Sequence, residues 1–158
     1  MAEKVEIPVE TKYQFAAGAF ADTVKGFLYA LREKYGAEAT LEFFEMWCKD
    51  GDRVKNMTNT ILTAFKLEGN DAETIGKWFD IYLELFGFES TTLERSKTIN
   101  RFKVTKCPTK TDHKDISGWS LIFDTMVAKT INPKATWETP KSICAGDPYC
   151  EHVIKIEE

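Results

Sequence analysis

The stretch Thr139-Pro-Lys-Ser-Ile-Cys-Ala-Gly-Asp-Pro-Tyr-Cys-Glu-His-Val-Ile-Lys-Ile-Glu157 sets two cysteines, Cys144 and Cys150, on either side of a Gly146-Asp147-Pro148 turn and then runs into an alternating segment. Glycine and proline pre-set the backbone of a turn, so the flanking segments fold back as a hairpin and carry both thiols to the mouth of a sheet. Past the turn, the period of two puts Cys150, His152, Ile154 and Ile156 on one face and Tyr149, Glu151, Val153 and Lys155 on the other. Thiol and imidazole therefore share the face whose later members are apolar. A polar pair at the end of a buried face is a place for chemistry or for a metal.

Working outward from this hairpin, Ala135 to Thr139 supplies its first strand and Tyr149 to Ile156 its second. Upstream, Thr111 to Ile131 has helical spacing through Ile116, Leu121, Ile122 and Val127; Ser117-Gly118 disturbs its start and Asn132-Pro133 ends it. Phe88 to Ser96 and Thr98 to Lys106, rich in Thr, Phe, Ile and Val, read as two more strands joined near Ser96. The first half is helical. One helix carries Phe20, Val24, Phe27, Leu28, Leu31 and Tyr35 and stops at Gly36. A second carries Leu41, Phe44, Trp47 and Cys48, is interrupted at Asp50-Gly51, and resumes through Val54, Met57, Ile61, Leu62 and Phe65. A third starts with Asn70 as N-cap and Glu73 at the reciprocal capping position, carries Ile75, Trp78, Phe79, Tyr82, Leu83 and Phe86, and ends at Gly87. The order α-α-α-β-β-α-β-β predicts an α+β fold: N-terminal helices, then two β-hairpins flanking a helix, in an antiparallel sheet.

The chain has 158 residues, a length that suits one domain spanning 1–158. Its 21 basic and 25 acidic residues are interspersed, so no basic patch stands ready for nucleic acid. No apolar run approaches the ~20 residues of a membrane span. Met1 to Glu10 is charged and lacks the apolar core of a signal peptide, so the expected location is cytoplasmic. In that setting the four cysteines (Cys48, Cys107, Cys144 and Cys150) argue for metal binding, catalysis or inert burial over a disulfide framework. Cys48, beside Trp47 on an apolar helical face, reads as core. The aromatic set Phe43, Phe44, Trp47, Trp78, Phe79, Tyr82 and Phe86 reads mostly as core, with some members lining any pocket between helices and sheet.

Three segments, "FKVTKCP" (Phe102 to Pro108), "INPKATWETPKSI" (Ile131 to Ile143) and "GDPYCE" (Gly146 to Glu151), resemble the C-terminal half of the L-2-amino-thiazoline-4-carboxylic acid hydrolase family. More broadly they resemble the 4-vinyl reductase small-molecule-binding superfamily, and the helical segments "KYGAEATLEFFEMW" and "KLEGNDAETI" have the same character. The resemblance implies an antiparallel sheet, a small-organic-ligand pocket between helices and sheet, a homodimer, and hydrolysis of a cyclic C–N bond. It implies two departures as well. Where family hydrolases carry a further cysteine before an acid, this chain has Ile122-Phe123-Asp124, keeping the acid without the thiol. Where they carry an aromatic residue after the last cysteine, it has His152.

The candidate chemistry is of two kinds. As a catalyst, Cys107 or Cys150 would be the nucleophile, since a thiolate attacks the C2 carbon of a cyclic isothiourea and a nearby imidazole lowers a thiol pKa. His113 would serve Cys107 and His152 would serve Cys150, with Asp112, Asp115 or Asp124 orienting a histidine or binding a substrate ammonium. As a metal site, Cys107, Cys144, Cys150 and His152 offer the sulfur and nitrogen ligands that zinc takes. In ligand-sensing relatives, cysteines around this turn hold a structural zinc with an upstream acid, a role the resemblance passes to Glu138. An open three-ligand zinc would combine both kinds by activating water. Against these stand a solvated His113, a strand-bound His152 and separate buried thiols. Three functions from different classes remain in view: a hydrolase, a non-catalytic ligand-binding or sensory module, and a dimerising structural protein like the vesicle-tethering subunits of this fold.

Overall fold

A computed structural model describes residues 6–157, so the first half of the Met1 to Glu10 stretch lies outside the described residues. Helices α1 (Val9–Tyr35), α2 (Ala37–Lys49), α3 (Arg53–Ala64) and α4 (Ala72–Leu85) precede the hairpin β1 (Glu89–Arg95) and β2 (Ile99–Lys106). Helix α5 (Trp119–Ile131) and the hairpin β3 (Ala135–Lys141) and β4 (Cys150–Ile156) follow. All pairings are antiparallel and the strand order is β1-β2-β4-β3, so the two hairpins meet at the centre through β2 and β4. The expected α+β architecture is what the chain adopts. No helix among the described residues is long and apolar enough to cross a membrane.

The helices stack on one face of the sheet. Helix α4 packs on β1, β2 and β4, and α5 packs on β3; α2 and α3 lie on these two, and α1 packs chiefly along α2. Contact between α4 and β2 is close because residue 76 has no side chain: a Cβ on Gly76 would lie 2.5 Å from the buried Asn100 amide. Trp78, Ile75, Ile116 and Ile154 are sealed in the core, and burying one such side chain is worth roughly 1.5–3 kcal/mol. The opposite face of the sheet carries the charged pairs Arg101–Glu151 and Lys155–Glu138.

Four local expectations differ from the structure. The interruption at Asp50-Gly51 separates two helices, because Gly51 and Asp52 both take positive φ and turn the chain; four helices therefore precede the sheet, where three were expected. The N-cap of α4 is Asp71, whose carboxylate accepts the Thr74 amide at 2.9 Å, while the Asn70 carbonyl accepts from Asn132 and Glu73 pairs with Lys77. Helix α5 begins at Trp119, eight residues after the expected start. The segment before it satisfies its backbone otherwise: Lys110 N–H bonds the Cys107 carbonyl, His113 N–H bonds the Thr111 hydroxyl, and Lys114–Ile116 forms a single 3-10 turn. Finally, Phe43 and Trp47 are largely exposed, as are Phe20, Phe27 and Tyr35 on α1; α2 buries Thr40, Phe44 and Cys48, a stripe four residues apart.

Candidate ligand cavity

The second hairpin builds the site's floor. Its chain reversal uses a 3-10 turn at Ile143–Ala145 followed by Gly146 at φ 110°, a conformation that glycine takes without strain. Asp147 secures it, accepting the Ser142 amide at 2.8 Å through its carboxylate and donating its own amide to the Ser142 carbonyl at 3.0 Å. The reversal delivers Ile143 N–H to Cys150 Sγ at 3.3 Å. Pairing of β2 with β4 then sets Val104 opposite Cys150, Phe102 opposite His152 and Asn100 opposite Ile154 on the helix-facing side.

Above this floor lies a cavity of about 210 Å³. Tyr82 and Leu83 from the end of α4, with Phe88 just before β1, form one wall, and Val104, Cys107 and Thr109 another. Ser117 to Leu121 and Asp124, from the start of α5, form the third; Thr139, Ser142, Cys144, Cys150 and His152 close it from the hairpin. Thus Cys107, Cys144, Cys150, His152 and Asp124, picked out at five separate points of the chain, come together on one hollow. No Lys, Arg or Glu is among the described residues that line it.

Burial sets the protonation of these groups. Desolvation holds the Asp124 carboxyl well above the usual carboxylate range. Burial pushes the Cys107 thiol up to about 11, against a weak opposing contact from Thr109, 3.5 Å from the sulfur. Cys150 is raised for the same reason, partly offset by the Ile143 amide. His152, 8% exposed, is lowered to about 4 by burial and is therefore a neutral imidazole. Desolvation also raises the Tyr82 phenol. Burial thus works against the charged form of each of these groups.

The imidazole belongs to a chain of hydrogen bonds. Trp137 Nε1–H donates to Thr139 Oγ1 at 3.1 Å, and Thr139 Oγ1 lies 3.1 Å from His152 Nδ1. Pro140 falls where β3 shifts register between Glu138 and Lys141, which suits a residue without an N–H on an edge strand.

Other candidates sit elsewhere. His113 meets the edge of Tyr29, with ring centroids 4.6 Å apart, and is not among the lining residues. Asp115 is gripped by Arg32, whose Nε lies 2.9 Å from each carboxylate oxygen and whose proximity holds that acid below its ordinary range. The Asp112 amide donates to the Tyr29 hydroxyl at 3.0 Å, so this loop pins α1 to the body of the protein. Glu138 pairs with Lys155 at 3.0 Å on the charged face. Among the described residues no group of three or more His, Cys, Asp and Glu side chains is placed to hold one ion, and His152 Nδ1 is engaged by Thr139.

Sequence reasoning missed Thr109, Ser117, Ser120 and Thr139. Ser117 and Ser120 were concealed by the misplaced start of α5. For Thr139 the adjacent Pro140 was a usable signal, since it marks where the strand pairing slips.

No protein-family model matches the chain, and no curated protein matches it in sequence. Solved structures do share the fold. Trafficking protein particle complex subunit 3 from Naegleria fowleri, covalently bound to palmitic acid in its crystal structure, matches with a TM-score of 0.67 at 15% identity, over 92% of this chain and 97% of that one. The phenol-responsive sensory domain of the transcription activator PoxR, solved with phenol, matches with a TM-score of 0.56 at 13% identity, over 89% and 74%. At such identities the likeness establishes the fold alone.

Proposed function

We propose that this chain binds a small uncharged organic molecule in the cavity between α4, α5 and the β2–β4 floor, as a ligand-binding or sensory module of the 4-vinyl reductase type. The single observation that carries this reading is a hollow of about 210 Å³ with an aromatic and polar lining that includes no Lys, Arg or Glu among the described residues. A dry cavity of ~150 Å³ accommodates benzene, so this one has room for a ring and a substituent. The fold shared with a phenol-responsive sensory domain supports the same ligand class.

Hydrolysis in the manner of the thiazoline hydrolases draws less support from the site. A thiol with a pKa of about 11 is thiolate in roughly one molecule in ten thousand at pH 7. Neither proposed thiol–imidazole pair forms: His152 bonds Thr139, and Cys150 receives an amide. Two further parts of the proposal are a homodimer and a cytoplasmic setting. Exposed Phe15, Phe27, Phe43, Met46 and Trp47 on α1 and α2 give a second copy an apolar band to cover, and four free cysteines suit a reducing compartment.

The test is thermal stabilisation by phenol and other single-ring compounds, with product analysis in parallel. We expect Tm to rise with ligand concentration and no turnover, and Ser120→Phe, which fills the hollow, to abolish the rise while leaving the circular dichroism spectrum intact. Stabilisation that survives Ser120→Phe, or none by any single-ring compound, overturns the reading.

A further inference from the structure

We infer that the cavity selects its ligand by a carbonyl oxygen, held between His152 Nε2–H and the uncapped first turn of α5; the preferred ligand is then a single-ring ketone, aldehyde or carboxamide. The inference rests on the reading that this cavity binds a small uncharged organic molecule, and it names the end of that molecule which is recognised.

The hydrogen-bond chain favours one tautomer of the imidazole. An indole N–H can only donate, so Trp137 occupies a lone pair of Thr139 Oγ1 and leaves that hydroxyl's own hydrogen free. The neighbour that can accept it is His152 Nδ1, 3.1 Å away. A neutral imidazole that accepts at Nδ1 carries its hydrogen on Nε2. His152 is 8% exposed, lines the cavity, and finds no acceptor for Nε2–H among the described residues. The Nε2 position is not among the sealed, unpartnered polar atoms, so its N–H is open to the hollow and a ligand oxygen would accept from it.

The start of α5 supplies a second set of donors. The first amides of a helix have no intrahelical acceptor and form the positive end of its dipole. Here Ser117 to Leu121 line the cavity, no side chain caps the helix, and its first turn contains no acid. One turn on, Asp124 lines the same wall without a hydrogen bond to the described residues, and desolvation favours its protonated form, in which the carboxyl is an O–H donor. The polar wall is therefore richer in donors than acceptors. A cation would face the positive end of a helix, and an anion would be desolvated without a Lys or Arg to pair with. An uncharged acceptor meets neither cost.

Calorimetric titration of matched single-ring compounds tests this. Acetophenone and benzamide are expected to bind ~10-fold or more tightly than ethylbenzene, and more tightly than benzylamine and benzoate, the difference a well-made hydrogen bond in a buried site provides. His152→Asn keeps a polar group at the δ position and removes Nε2–H, so the preference for acetophenone over ethylbenzene should collapse. His152→Gln, which restores an N–H near the ε position, should recover part of it. If ethylbenzene binds as tightly as acetophenone in the unmodified protein, the selection is wrong while the cavity reading stands. If no single-ring compound binds, both fall together. Independently of any variant, long-range proton–nitrogen spectra of His152 should show hydrogen on Nε2; hydrogen on Nδ1 would overturn the inference.

Discussion

Two acids lie twenty-seven residues apart in sequence and on opposite faces of the sheet, and their pKa values are shifted in opposite directions. Glu151, 5% exposed, is covered by side chains lying over the outer face and not by core. Arg101 bonds its carboxylate, Lys141 lies 3.6 Å from it, and these cations hold its pKa below the ordinary range. Asp124 has no such partner among the described residues, and desolvation shifts its carboxyl the other way, towards the protonated form. His152, next to Glu151 in β4, points the other way and is neutral. Low exposure by itself therefore decides nothing about charge. The partner decides, and adjacent residues on a strand have different partners because they face different sides.

The largest effect should come from placing an acid where no partner exists. Ile154 is fully buried on the same face as His152, and Ile154→Asp is expected to cost more than about 4 kcal/mol by urea unfolding. If instead the variant folds normally, the helix-facing side tolerates charge and the comparison breaks.

Next is acid pH. His152 is lowered from 6.5 to about 4 in the folded protein, so the unfolded chain takes up its proton first. The stability this neutral imidazole contributes is complete above pH 6.5 and lost as pH falls to about 4, a loss of about 3 kcal/mol. Urea midpoints of the wild type and His152→Gln should converge across that window, since the variant has nothing to titrate there. A constant difference between them would place His152 in contact with solvent.

The smallest effect separates the two acids directly. Asp124 is raised in the folded state, so its stabilising proton is fully held below the unfolded value of 3.8 and its cost grows as pH rises towards the folded value. Asp124→Asn should therefore raise Tm by a few degrees at pH 8 and leave it nearly unchanged near pH 3. Glu151→Gln should do the reverse, lowering Tm at pH 8 because the lowered pKa of Glu151 contributes stability above its unfolded value. Both variants moving in one direction would remove the distinction between the faces.

Much of this architecture is legible along the chain. The period of two in β4 assigns Cys150, His152 and Ile154 to one face, and the β2–β4 register agrees. The Gly146-Asp147-Pro148 turn announces the hairpin. Periodicity failed where local side-chain bonds competed with helix: Thr111 and the Cys107 carbonyl hold the segment before α5 out of helical form. It failed again on α1 and α2, where a spacing of apolar residues does not say which of two stripes faces the core, and Phe43 and Trp47 are left exposed. Of the candidate site, the three cysteines, Asp124 and His152 could be named in advance, because their chemistry is intrinsic to the residue type. His113 has the same intrinsic chemistry and lies against Tyr29 instead.

Residue types and their spacing determined the order of helical and strand segments and the side of β4 that carries thiol and imidazole. Those follow from backbone geometry and local sterics, which act over a few residues. Tertiary structure alone decided that Cys107, Asp124 and His152 share one hollow, that Thr139 reaches His152 across a slipped register, and that burial in the hollow disfavours charge. Such properties depend on desolvation and on partners from distant segments, and neither exists until the chain has closed around them.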